Sequence, residues 1–262
     1  ALPAEELMKL AAVKAVPTYN IDGYFLTEQP TETYAKGNQT KVPLLIGGNN
    51  QEMNAMAVLY GKAPTVENLK NAVKATFGDA TDELFKLYGL NTDADVMGQP
   101  GNELAGDLFL DYSTWKWGNM HKLTGSQPVY RYRYCHPRPD MVLKDKVAGL
   151  AGGVQEKTSD TPAAPRALGA VHSADIEYAM GTLPTNRVYD WQPEDYVVSD
   201  IFSNYYVNFV KTGDPNGLGL VDWPTTNGKA IAPVLQIDVN TFVKEDPNME
   251  KRYEIMDGLF WK

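Results

Sequence analysis

His172 lies among small residues in Gly169-Ala-Val-His-Ser-Ala-Asp-Ile-Glu-Tyr-Ala-Met-Gly181, after a loop rich in Pro and Ala and before a short amphipathic run. That pattern predicts a strand-to-helix corner from which an imidazole projects over a cleft. An imidazole titrates near neutral pH and can take and return a proton within one reaction cycle, so its chemistry would be general acid–base catalysis. A carboxylate on its second ring nitrogen would fix the tautomer and stabilise the imidazolium. Glu52 is the upstream candidate, because the apolar run Val42–Ile46 breaks at Gly47 and Gly48 and delivers this acid on an Asn-rich loop. Each residue has a plainer alternative: a lone histidine near a glycine is more often packed or exposed, and an acid on a Gly-Asn loop is usually solvated. Ser173 adjoins the histidine, but neighbours on a tight corner rarely aim their side chains at each other. It reads as a cap for the following helix or a supporting hydrogen-bond partner, not as a nucleophile.

His121 follows an aromatic helix and His136 a tyrosine-rich strand, and both read as structural or exposed. Three scattered histidines and one cysteine lack the close, regular spacing of a metal site, so no metal is expected. The stretch Gly213–Gly219 follows a helix and does not open one, which makes it a stop and turn, not a phosphate cradle. No cofactor is implied.

The elements that must position Glu52 and His172 follow from periodicity. Leu44, Leu45 and Ile46 are continuous and not alternating, as expected of an inner strand of a largely parallel sheet, buried on both faces. Pro128–Tyr134 alternates strictly, with Val129, Arg131 and Arg133 on one side and three tyrosines on the other. Pro233–Asp238 is a last strand. Helical spacing covers Leu2–Val13, with Leu7, Leu10 and Ala11 on one face, then Pro64–Phe77 stopped by Gly78, and Thr81–Tyr88 stopped by Gly89. A loop over Asn91–Gly101 leads to a longer helix carrying Leu104, Leu108, Tyr112, Trp115 and Asn119, with Gly125 as its stop. Pro193–Thr212 ends at Gly213. Val16–Gln39 reads as extended loop, and Lys144–Leu168 as a mobile loop rich in Gly, Ala and Pro.

Composition sets outer bounds. With 262 residues, 43% hydrophobic and 11% aromatic, the chain can bury a substantial core. A formal charge of −9 argues against nucleic acid as a partner, since phosphate binding relies on clustered Lys and Arg. No apolar run approaches the length needed to span a bilayer, and the N-terminus lacks the layout of a signal peptide. The single cysteine rules out a disulfide within the chain and leaves secreted, periplasmic and cytosolic homes open.

Acid first and base later, with no Gly-x-Ser-x-Gly elbow anywhere, is the last two-thirds of the Ser, acid, His order of α/β-hydrolases. GAVHSADIEYAMG resembles the histidine motif of type-B carboxylesterases, the family of cholinesterases and bacterial para-nitrobenzyl esterases, and VPLLIGGNNQEMNAM resembles its acid motif. The run Tyr206–Gly217 followed by Trp223-Pro224, the strand Pro128–Tyr134, Asp22-Gly-Tyr24 and Pro30–Gly37 are also similar to that family. One departure is Met53, where the family usually has a glycine after the acid. The resemblance runs along essentially the whole chain, but as the C-terminal half of an α/β fold, the α/β-hydrolase fold. The family's Gly-Glu-Ser-Ala-Gly nucleophile motif and glycine-rich oxyanion loop have no counterpart here.

The resemblance implies hydrolysis of a small-molecule ester, with Glu52 and His172 as two members of a Ser-His-Glu triad. The serine and oxyanion hole would come from an N-terminal half, as a separate or cleaved chain, since residue 1 is not Met and falls in the middle of the family pattern. It further implies that Met53 and Met56 line the substrate gorge, with core packing as the plainer alternative. Two other outcomes are a non-catalytic binding or adhesion domain, and a fragment that is inactive alone.

Overall fold

In the computed structural model, residues 2–9, 19–149, 153–158 and 167–261 are described. Helices α1 (Ala4–Lys9) and α2 (Pro30–Ala35) lead into strand β1 (Leu44–Asn49). Helices α3 (Met56–Leu59), α4 (Val66–Phe77), α5 (Thr81–Tyr88), α6 (Asp93–Val96), α7 (Gln99–Gly106) and α8 (Tyr112–Met120) follow, before β2 (Val129–Tyr134). A short antiparallel pair, β3 (Lys146–Ala148) and β4 (Val154–Glu156), precedes α9 (Ile176–Ala179) and α10 (Pro193–Thr212). The chain continues through β5 (Pro233–Ile237), β6 (Phe242–Glu245) and α11 (Pro247–Phe260).

The main sheet has the order β1-β2-β5-β6, with the first three strands parallel and β6 antiparallel at its edge. Parallel strands need crossover connections, and the crossover helices cover both faces. On one face Leu69, Val73, Phe77, Phe85, Trp115 and Tyr253 pack with Val234 of β5. On the other, Tyr130, Tyr132 and Tyr134 of β2 pack with Val198, Phe202 and Tyr205 of α10 and with Trp223.

The alternation of β2 does not mark a wet face. Five of its six residues are buried, and its arginine side meets acids from two helices: Arg131 pairs with Glu250 of α11 at 3.3 Å, and Arg133 with Asp111 at 3.6 Å. Strand β1 departs from the expectation of full burial. Only Ile46 and Asn49 are buried in it, because among the described residues it pairs with β2 alone and so forms the sheet edge.

The long helix begins at Gln99 and runs to Gly125, but two π-helical turns, Asp107–Asp111 and His121–Gly125, interrupt it. It ends on Ser126, which takes the left-handed conformation at φ 54°, not on Gly125. Helix α2 lies inside the stretch expected to be loop, started by Pro30 in its first turn. The hairpin β3–β4 likewise occupies part of the expected loop 144–168, whose residues 150–152 and 159–166 lie outside the described residues. Positions Leu10 and Ala11, expected on the face of the first helix, also lie outside them. Helix α11 and β6 were not legible from pattern. The helix is polar along most of its length and buries only Met249, Arg252, Tyr253 and Met256, while Asp246 caps it by accepting from the Asn248 and Met249 amides.

Candidate active site

The site forms beyond the carboxyl end of β1, where open α/β sheets place their ligands. Three consecutive polar side chains leaving that strand grip the backbone that carries His172. Asn49 Nδ2 donates to the Val171 carbonyl at 2.8 Å and to Asp175 at 3.2 Å. Asn50 Oδ1 accepts from the Ala170 amide at 2.7 Å. Gln51 Oε1 accepts from the Leu168 and Gly169 amides at 2.7 and 3.1 Å, and the Gln51 amide donates to the Ala170 carbonyl at 3.0 Å. The strand expected before His172 is therefore a single parallel bridge, Gln51 with Val171. The chain then turns at Ser173, with φ 64°, and enters α9. From below, Arg138 donates to the Ser173 carbonyl and to the Glu177 carboxylate, both at 2.5 Å.

These contacts bring together two residues that are distant in sequence. Glu52 is 5% exposed, and its Oε2 lies 2.5 Å from His172 Nδ1. Its Oε1 accepts from the Asn49 amide at 2.6 Å. A carboxylate only accepts, so in the neutral imidazole the proton sits on Nδ1 and the lone pair on Nε2. The His172 side chain is 26% exposed. The edge of Phe109 abuts the imidazole, with ring centres 5.1 Å apart. Phe109 was not singled out from the sequence: it sits on a π-helical turn, and the helical stripe passes it by.

A second carboxyl adjoins the first. A Cβ placed on Gly48 would lie 2.8 Å from Asp111 Oδ1 and 3.1 Å from Glu52 Oε1, so both acids crowd the same glycine. Burial pushes the Asp111 carboxyl up to about 7; Arg133 opposes that shift, and the charges of Asp107 and Glu52 add to it.

The other expected residues are placed as follows. Ser173 lies two positions before Asp175, the N-cap of α9. Met53 is half-buried in the turn after Glu52, and Met56 packs against the helical core that contains Leu59 and Leu69. His121 is buried and donates from Nε2 to the Val42 carbonyl at 2.8 Å, tying the long helix to the start of β1. His136 lies between Asp238 at 2.8 Å and Asp195 at 3.0 Å. Among the described residues no group of three or more His, Cys, Asp or Glu side chains could hold a metal ion, and no helix is long and apolar enough to cross a membrane. Chemically, the arrangement offers an oriented imidazole base backed by a buried carboxylate.

A sequence model of the carboxylesterase family matches residues 4–256. Among curated relatives, a carboxylesterase 4A of Bos taurus is 26% identical over 256 residues, covering 92% of this chain and 41% of its own length. An acylcarnitine hydrolase of Mus musculus is 25% identical over 253 residues, with the same coverage of 92% and 41%. Among solved structures, a carboxylesterase of Geobacillus stearothermophilus superposes with a TM-score of 0.66 at 19% identity, covering 97% of this chain and 49% of that one. A thermophilic PNB esterase superposes with a TM-score of 0.61 at 20% identity, covering 97% and 48%. The fold these structures share with the chain is the α/β-hydrolase fold. The chain spans about two-fifths of the length of the curated relatives it matches.

Proposed function

The chain belongs to the carboxylesterase family, and on that premise we propose that it is the C-terminal part of a carboxylic ester hydrolase, contributing the base His172 and the orienting acid Glu52. The serine nucleophile and the oxyanion hole come from a segment outside these 262 residues, acting on a small-molecule ester. In the reaction, the serine hydroxyl attacks the ester carbonyl while His172 Nε2 takes its proton. The same nitrogen returns the proton to the departing alcohol, then activates water against the acyl-enzyme. Glu52 holds Nδ1–H throughout and stabilises the imidazolium. It need not take the proton.

The single observation that carries this reading is the 2.5 Å contact between Glu52 Oε2 and His172 Nδ1, with the other carboxylate oxygen tied to the Asn49 amide. It is supported by the edge position of β1, whose outer side is open among the described residues to a further strand bearing the nucleophile. In the complete enzyme, His172→Ala should lower kcat toward a short para-nitrophenyl ester by several orders of magnitude and leave the fold intact. Turnover by that variant at the wild-type rate would overturn the proposal, and would favour a non-catalytic binding role for this pair. A fluorophosphonate probe should label a serine outside this chain. Labelling within it would overturn the assignment of the nucleophile.

A further inference from the structure

Asp111 ends the π-helical turn Asp107–Asp111, and its side chain points inward, 11% exposed. Gly48 separates it from Glu52 on one side, and on the other a Cβ on Gly106 would lie 2.9 Å from its Oδ2. That Oδ2 atom is buried with no hydrogen-bond partner, and the guanidinium of Arg133 stands at 3.6 Å, an ion pair but not a hydrogen bond. The ionisable groups facing Asp111 are Glu52 from the loop after β1, Arg131 and Arg133 from β2, Asp107 from its own turn and Tyr253 from α11. A cavity of about 20 Å³, room for one water, is lined by Asp111, both arginines and Tyr253.

Two carboxyls this close do not both ionise without cost, because each raises the energy of charge on the other. Glu52 has a partner for each oxygen, the Asn49 amide on one and His172 Nδ1 on the other. Asp111, with its unpartnered oxygen, keeps the proton longer. We propose that Asp111 is a positioning residue for the acid–base pair, acting through Glu52 to set how tightly His172 holds its proton. The inference rests on reading Glu52 and His172 as that pair. With Asp111 neutral, the carboxylate in contact with the imidazole is that of Glu52, while Asp175, further along the histidine loop, is held by Asn49. With Asp111 ionised, a second charge lies behind Glu52 and favours the imidazolium. The two titrations are therefore coupled and reciprocal.

The test is an NMR titration of the imidazole Cε1–H signals of the complete enzyme from pH 5 to 9, in wild type, Asp111→Asn and Asp111→Leu. Asp111→Asn keeps the side chain's shape and cannot ionise. In wild type the His172 signal should titrate in two steps. In both variants the step that reports Asp111 should be absent. The His121 and His136 signals should titrate as in wild type. A shift in Asp111→Leu without one in Asp111→Asn would mean that packing alone matters, and would overturn the proposal. So would a single step in wild type, which decides the matter even if neither variant folds. No turnover is needed. A failed titration thus sinks only the role of Asp111, whereas wild-type turnover by His172→Ala sinks the esterase reading.

Discussion

His136 offers a pH-dependent contribution to stability whose sign can be worked out from its surroundings. Its side chain is 14% exposed at the carboxyl end of β2 and bridges two acids on other elements: Asp238 beyond β5, and Asp195 in the first turn of α10. Burial disfavours the imidazolium, but the hydrogen bonds to Asp238 and Asp195 outweigh it and raise the His136 pKa above the ordinary 6.5. Asp238 responds in the matching direction, its carboxyl held below the usual value by His136. For a group raised on folding, the stabilisation is complete below the unfolded pKa near 6.5 and is lost as pH rises through the folded value. The bond to Asp195, an acid 3% exposed, is worth about 1.5–3 kcal/mol. Asp238 is 37% exposed, so screening limits its share to under about 1 kcal/mol. His136→Ala should therefore lose about 2–4 kcal/mol at pH 6, and clearly less at pH 9. Tryptophan-monitored urea unfolding of both proteins at the two pH values measures this, because subtracting the variant cancels the titrating groups that do not touch His136. A loss that is equal at both pH values, or larger at pH 9, would refute the argument.

Three other perturbations have defined outcomes. Trp223 is fully buried against Tyr130, Tyr132 and Tyr205, and its indole N–H donates to the Arg131 carbonyl at 3.0 Å. Trp223→Ala should cost about 3–5 kcal/mol by calorimetry, and a loss under about 1 kcal/mol would contradict its central place in the core. Gly213 ends α10 at φ 78°, and an added Cβ would sit 2.9 Å from Pro43 Cγ; Gly213→Ala should destabilise by about 1–3 kcal/mol in urea unfolding. Burial pushes the Cys135 thiol up to about 11. Its reaction with a disulfide reagent at pH 8 should therefore run on the order of a hundredfold slower than that of a free thiol, and modification at the free-thiol rate would place it on the surface.

Much of the frame was readable because it rests on local rules. The helices Val66–Phe77, Thr81–Tyr88 and Pro193–Thr212 carry apolar residues at helical spacing and stop at Gly78, Gly89 and Gly213, all with positive φ. What failed to show had little local signal. Helix α11 is mostly polar and is held by Tyr253 and Met256 packing against distant helices. The alternation of β2 showed that its arginines share a side but not what they meet there, because their acidic partners, Asp111 and Glu250, come from other elements. Asn49, Asn50 and Gln51 looked like an ordinary polar loop, and nothing in their order reveals that each binds the histidine loop.

Residue type and motif were sufficient to pick out an imidazole and a carboxylate as a pair and to point to the α/β-hydrolase fold, because side-chain chemistry and hydrophobic period are properties of short stretches. The meeting of Glu52 and His172, 120 positions apart, was decided elsewhere. It follows from the parallel register of β1 on β2 and from the three polar side chains that bind backbone across that gap. The packing of Asp111 behind Glu52 depends on a π-helical turn and on a glycine of β1. Contacts of that range form only when the whole chain has folded, since no local preference can encode the distance between two segments that touch only through others.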